Sequence, residues 1–318
     1  MKSYQRLFIF MLLVLALTAL VSPWAAIAWD LLSGAETAPA DDRIPFSRFF
    51  NRFFMISGIL LFFACRSLLK IESPYELGLL PKTRATRDLG IGLCLSLGSM
   101  VALGCVMSLA DVYQPFFRLS LSRSLQQCAS AVLTAFTVGL LEEVFFRGII
   151  FRGLLEDWKP LSAFIAANLF YSALHFVKPS ETYFLSGIDP FAGFRHLLST
   201  FAPFLDPSEI APGLIGLWLI GIVLSYAFTR TGTLYLAIGL HAGWIISIKT
   251  VRVFGNYKRD DLGWLFGSSD PKIVSGVMTW VGIILVGIAV HWLTRKRAGL
   301  VADHEGARVS GAPELAKN

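Results

Sequence analysis

The chain has 318 residues, of which 55% are hydrophobic and 16% charged, with a mean hydropathy of +0.62 and a net charge of +6. Soluble domains carry about 25% charged residues, so this composition excludes disorder, a basic nucleic-acid-binding arm and a small disulfide scaffold. It also disfavours a soluble globular enzyme. In such an apolar chain an excess of Lys and Arg is typical of cytoplasmic loops, and we expect no nucleic-acid partner.

Eight apolar segments predict an all-α fold, namely a polytopic transmembrane helical bundle of about eight spans. A helical crossing needs about 20 apolar residues. The predicted spans are residues 7–29, 50–69, 89–110, 129–155, 161–177, 213–228, 233–248 and 273–293. The first also resembles a signal peptide, because Lys2 and Arg6 precede it and Ala26-Ile27-Ala28 forms a small-x-small site. Its long apolar run favours an uncleaved helix.

The same pattern divides the chain into four predicted regions. Residues 1–128 are expected to hold the N-terminal membrane helices and a surface segment at 111–127. Residues 129–250 form the core that carries the intramembrane polar groups, 251–297 a loop and the last span, and 298–318 a disordered polar tail. Residues 180–212 are expected to form a long loop. Counts of Lys and Arg on each side predict that both termini are cytoplasmic. We expect the membrane to be the plasma membrane of a prokaryote.

The fourth span contains Gly139-Leu140-Leu141-Glu142-Glu143-Val144-Phe145-Phe146-Arg147-Gly148. An acid in the middle of a membrane helix costs about 2.5–3.5 kcal/mol, so two adjacent ones indicate a structural partner or a function. Glu143 and Arg147 stand at i and i+4, which favours an ion pair. Adjacent helix positions differ by about 100°, so Glu142 is predicted to be the freer carboxylate. The alternative is that these charges only hold the bundle together.

Two histidines lie in the later apolar spans. Asn168, Tyr171 and His175 stand at i, i+3 and i+7 on one helix face, and His241 lies in Gly239-Leu240-His241-Ala242-Gly243-Trp244. From the turn at Lys159, Glu142 is 17 residues back and His175 is 16 residues on. In an antiparallel hairpin both then lie about 25 Å from the turn. We therefore expect Glu142 and His175 at one depth, with His241 approaching the same site.

One Glu and two His at one depth suit two hydrolytic chemistries. In the first, Glu142, His175 and His241 hold zinc, which activates water. In the second, which needs no cofactor and which we favour, Glu142 and His175 deprotonate water and His241 stabilises the oxyanion. Either would cleave a peptide bond within or beside the bilayer. Two other classes stay open: a catalytically inactive membrane scaffold or immunity-type protein, and a transporter whose Glu and His conduct protons.

These motifs resemble the CAAX protease and bacteriocin-processing family of intramembrane proteases, which includes the type II CAAX prenyl endopeptidases. The resemblance rests on Glu142-Glu143-xxx-Arg147, on a membrane helix ending in xxx-His175 and on Leu240-His241-Ala242-Gly243-Trp244, and it covers about residues 129–248. It implies that Glu142 activates water with His175 as its partner, that Glu143 and Arg147 support the site, and that His241 binds the oxyanion or a metal. The implied substrate is a protein or peptide, lipidated or membrane-anchored.

The sequence departs from the family pattern at two positions. Tyr171 stands where the family usually has Phe, and its hydroxyl could bond within the site. Ile245 stands where the family usually has Asn, which removes a polar group expected to help hold the oxyanion. We expect the indole N–H of Trp244 to be a candidate replacement for that donor.

Overall fold

The structure is a computed structural model that describes residues 1–34, 44–79, 84–177, 184–185, 187–259, 261–267 and 273–297. The predicted tail, 298–318, lies outside the described residues. The chain divides into two compact units, which we describe separately. The first comprises Met1–Glu72 and Ala173–Ala211, and the second Ser73–Ser172 and Pro212–Asn318.

The all-α, polytopic fold is confirmed. Among the described residues, six helices are long and apolar enough to cross a membrane: α1 (Ser3–Ser33), α2 (Phe46–Ala64), α4 (Ala85–Leu109), the continuous helix Leu121–Asp157, α9 (Pro207–Thr231) and α12 (Val277–Thr294). The remaining two of the eight predicted spans are also helical but shorter: α7 (Pro160–Leu174) and α10 (Tyr235–Thr250). Between α2 and α4 lie the short helix α3 (Arg66–Leu69) and a 3-10 turn, Pro74–Leu77.

The first unit is built around α1, which packs against α2 and against the short helix α8 (Ala192–Ser199). Helix α8 lies so close to α1 that a Cβ on Gly193 would meet the carbonyl oxygen of Ala19 at 2.0 Å. The imidazole of His196 is buried against the rings of Phe46 and Phe50, at centroid distances of 5.3 and 4.8 Å. The predicted long loop at 180–212 is therefore partly wrong, because α8, a 3-10 turn (Ala202–Leu205) and the start of α9 occupy much of it.

In the second unit, α10 packs against both α4 and α5 (Leu121–Glu143). Small residues allow the contact with α4: a Cβ on Gly239 would meet the carbonyl oxygen of Leu89 at 2.2 Å, and one on Gly92 would meet that of Leu236 at 2.5 Å. Close backbone approach through glycine is common between membrane helices. This contact fixes the face that α10 presents to α5.

A small antiparallel sheet lies beyond the helix ends of the second unit. Strand β1 (Tyr113–Pro115) pairs with β2 (Gly255–Tyr257), and neither strand was expected. The predicted surface segment at 111–127 is also shorter than expected, because α5 begins at Leu121. After β2 the chain forms the short helix α11 (Gly263–Phe266) and a 3-10 turn (Ile273–Ser275) before α12.

Candidate functional site

The Glu-Glu-xxx-Arg motif lies where the longest helix changes its hydrogen bonding. Helix α5 ends at Glu143, a π-helical segment runs from Val144 to Phe151, and α6 (Arg152–Asp157) completes the continuous helix. Such π-helical stretches are rare and are found frequently at functional sites. A Cβ on Gly148 would meet the carbonyl oxygen of Leu77 at 2.9 Å, so glycine lets the π-helical segment lie against that turn.

Glu143 joins Arg147 to His241 inside the second unit. Its Oε1 atom accepts a hydrogen bond from Arg147 Nη1 at 2.9 Å, and the Nδ1 atom of His241 lies 2.8 Å from the same oxygen. All three side chains are buried. A carboxylate oxygen can only accept, so the tautomer of His241 that completes this contact is the one with a proton on Nδ1. The ion pair expected from the i, i+4 spacing is therefore present, and it also fixes the orientation of the imidazole.

Glu142 faces the other edge of the same imidazole. Its Oε2 atom lies 3.7 Å from His241 Nε2, which exceeds direct hydrogen-bonding distance. The side chain of Glu142 is 29% exposed, whereas that of Glu143 is fully buried, so Glu142 is the more accessible carboxylate, as expected. The two acids nevertheless converge on one residue. One imidazole presents nitrogens on two edges and can therefore face both.

The guanidinium of Arg147 donates hydrogen bonds through Nε, Nη1 and Nη2. Besides Glu143, Nη2 donates to the carbonyl oxygen of Gly221 at 3.1 Å and Nε donates to Ser225 Oγ at 3.3 Å. The ring of Tyr171 lies 4.6 Å from the guanidinium carbon, within cation–π range. The hydroxyl of Ser225 in turn donates to Asn168 Oδ1 at 2.8 Å.

Sequence reasoning missed Gly221 and Ser225, and it noted Asn168 only as part of a polar stripe. Ser225 is one hydroxyl residue in an apolar helix, and serine hydroxyls in helices commonly bond to their own backbone. The carbonyl of Gly221 carries no sequence signal. Only the packing of α9 against the motif reveals both partners of Arg147.

Trp244 is engaged away from the two carboxylates. Its indole N–H donates to Ser99 Oγ on α4 at 3.3 Å. To act as the oxyanion donor in place of the missing Asn, the indole N–H of Trp244 would therefore have to give up its hydrogen bond to Ser99. The neighbouring Ile245 is half-buried.

His175 lies in the first unit, one residue beyond the end of α7, and is exposed. The predicted helical stripe is thus correct for the buried Asn168 and Tyr171, but wrong in extending the helix to 177. Because Glu142 and His241 belong to the second unit, the common depth of His175 and Glu142 stays a prediction.

Among the described residues, no group of three or more His, Cys, Asp or Glu side chains is placed to hold a metal ion. Catalytic zinc sites ordinarily use three protein ligands. We therefore derive no step through a metal.

Comparison with known proteins finds a match over the region around this cluster. A family model described as type II CAAX prenyl endopeptidase Rce1-like matches residues 124–246, from the first turn of α5 to the fourth turn of α10. No curated protein and no solved structure matches the chain. The resemblance inferred from the motifs is thus confirmed for this segment, and a family of membrane proteases is the class that it indicates.

Proposed function

We propose that the chain is an intramembrane endopeptidase in which Glu142 activates the attacking water. The observation that carries this proposal is the convergence of two carboxylates on His241 inside apolar helices. The match over residues 124–246 supports the same reaction class. A carboxylate and an imidazole facing each other are the groups that general acid–base hydrolysis needs.

In the proposed reaction, Glu142 takes a proton from water as the oxygen attacks the substrate carbonyl carbon. The carbonyl π electrons move to oxygen, and a proton on His241 Nε2 hydrogen-bonds that oxyanion. Glu142 then gives its proton to the leaving amine as the C–N bond breaks, which leaves a carboxylic acid and an amine. His175 would position the water beside Glu142, a role that rests on the family resemblance.

Glu143 and Arg147 are proposed to hold His241 in the productive orientation. Glu143 fixes the Nδ1–H edge, so that Nε2 faces the more accessible Glu142. When both nitrogens are protonated, two carboxylates, one guanidinium and one imidazolium sum to zero charge. A neutral cluster is the arrangement that an apolar environment tolerates best.

The cofactor requirement belongs to the same proposal. We favour a reaction without metal; in the competing reaction Glu142, His175 and His241 would hold zinc, which would supply the water-activating charge. Cleavage by the purified chain with and without a chelator, beside metal analysis, distinguishes the two. Stoichiometric zinc and activity lost on chelation would overturn the metal-free reaction.

The substrate is proposed to be a membrane-associated protein or peptide, and a prenylated C-terminus is the first candidate because of the matched family. The protein is an integral membrane protein by its apolar helices and this match. We propose that both termini lie in the cytoplasm, as the loop charges predict, and that the membrane is the plasma membrane of a prokaryote.

The deciding experiment compares Glu142→Gln with Glu156→Gln in the full chain, purified in detergent, on farnesylated and unmodified CAAX peptides and on a peptide library. Glu156 is an exposed carboxylate of the same continuous helix. Removing a general base lowers kcat by about 10²–10⁴-fold, and we expect this for Glu142→Gln alone. Undiminished cleavage by Glu142→Gln would refute the proposal.

A second candidate is a catalytically inactive relative that binds membrane proteins. Ile245 at the usual Asn position favours it, as does the bond from Trp244 to Ser99. In that case the wild-type chain cleaves none of these peptides, and introducing Asn by Ile245→Asn would supply the missing donor. Cleavage gained by Ile245→Asn would identify the lost oxyanion partner.

A further inference from the structure

A polar cleft of about 560 Å³ lies in the second unit, between the first turns of α5 and the last turn of α10. Its polar lining consists of Arg123, Gln126, Gln127, Ser130 and Lys249, and its other two lining residues are apolar. The cleft thus presents two cations, two amides and a hydroxyl, and none of its lining residues is acidic. This composition suits an anion with several oxygen atoms.

The two cations of the cleft are uncompensated. The side chains of Arg123 and Lys249 make no hydrogen bond or ion pair with any residue that the structure describes. Two other cations in this part of the unit are paired with carboxylates: Lys258 with Asp111, and Arg259 with Asp261. Two like charges that face one cleft repel each other, and a bound anion would relieve that repulsion.

The position of the cleft along α5 and α10 indicates which class of anion can reach it. Helices α5 and α10 are antiparallel, because Gly139 lies against Ala242 while the earlier residue Ser130 shares the cleft with Lys249. No Lys, Arg, Asp or Glu occurs in residues 128–141 of α5 or 235–248 of α10. Arg123 and Lys249 are therefore the first cations beyond two apolar segments, at the level expected for lipid headgroups.

We propose that this cleft binds the phosphate group of an anionic phospholipid. The guanidinium of Arg123 can pair with two phosphate oxygens, and the ammonium of Lys249 adds a point charge. Gln126, Gln127 and Ser130 offer further donors for the phosphate and glycerol oxygens. Inorganic phosphate has the same chemistry, but the lipid is held in the plane where the cleft opens. The site goes beyond the proposed proteolysis and does not depend on it.

The test measures lipid binding to the full chain in maltoside detergent. The probes are short-chain phosphatidylglycerol, phosphatidylcholine of equal chain length, and inorganic phosphate. The cleft variant is Arg123→Gln with Lys249→Gln. The matched control is Lys258→Gln with Arg259→Gln, which removes the same charge from the same part of the unit. We expect phosphatidylglycerol to bind preferentially, with its Kd raised at least about tenfold in the cleft variant and less than about threefold in the control.

Several outcomes would overturn the proposal. Equal weakening in both double variants would indicate a general basic surface, and inorganic phosphate binding as tightly as the lipid would remove the lipid assignment. Equal affinity for the two lipids would contradict the preference for a net anion. Circular dichroism and gel filtration check folding, and Lys249→Gln against Lys258→Gln provides the same comparison with one substitution each. Arg123→Lys, which keeps the charge, should retain part of the affinity.

Discussion

Gly239→Ala should disturb the candidate site indirectly, because the added Cβ would force α10 away from α4. The added Cβ would lie 2.2 Å from the carbonyl oxygen of Leu89, a backbone atom that cannot rotate away. The helices must separate by about 0.8 Å before that distance reaches 3.0 Å, and overpacking of this kind costs about 1–3 kcal/mol. His241 lies two residues further along α10, so its hydrogen bond to Glu143 would be strained. A misplacement of about 1 Å at a catalytic site can lower the rate by about 10²-fold.

Gly139→Ala is the matched control, because its Cβ would lie 3.5 Å from the nearest atom, the backbone nitrogen of Ala242, in ordinary contact. Both substitutions gain up to about 1 kcal/mol of helix propensity, so the difference between them isolates the clash. We expect denaturant unfolding in mixed micelles to show Gly239→Ala less stable than Gly139→Ala by about 2 kcal/mol. Peptide cleavage should fall only in Gly239→Ala. Equal stability of the two variants would refute this account of the α4–α10 contact.

Three further variants test other contacts. Ser225→Ala leaves the buried Arg147 Nε without its acceptor and should cost about 1–3 kcal/mol in unfolding, whereas Ser225→Thr should recover most of the loss; an unchanged Ser225→Ala would contradict this. Burial lowers the pKa of His196, so its neutral form is favoured on folding. The free energy of unfolding should therefore be highest above the unfolded-state pKa of about 6.5 and fall as the pH drops below it. His196→Gln should abolish that fall between about pH 7.5 and about pH 5.5. Arg297→Gln leaves the buried carboxylate of Asp88 without its bidentate partner and should cost about 1–3 kcal/mol, restored in part by adding Asp88→Asn.

The apolar segments predicted the helices because length and hydropathy are local properties of a membrane span. The ends of the apolar segments predicted the helix ends less well. Helix α5 begins at Leu121 rather than 129, since the polar residues from Arg123 to Gln127 continue the helix outside the apolar segment. The β1–β2 pairing escaped prediction because its six residues carry no alternation, and the pairing joins segments about 140 residues apart.

The candidate site was predictable where its geometry is local. The ion pair of Glu143 with Arg147 follows from one helical turn, and the structure contains it. The bond from His241 to Glu143 does not follow, because it depends on the rotation of α10, which Gly239 and Gly92 fix against α4. The 100° between adjacent helix positions therefore does not keep the two carboxylates apart, because both face His241.

The contrast between the two acids argues for a division of roles. A buried ion pair is weak evidence for stability, because apolar residues of similar volume often serve as well or better. The Glu143–Arg147 pair also fixes one edge of His241, which an apolar pair could not do. A fixed orientation of His241 matters only if its Nε2 edge has a function. The group that this edge faces is the partly exposed Glu142. The arrangement therefore favours the proposed chemistry at Glu142 over a role limited to holding the helices together.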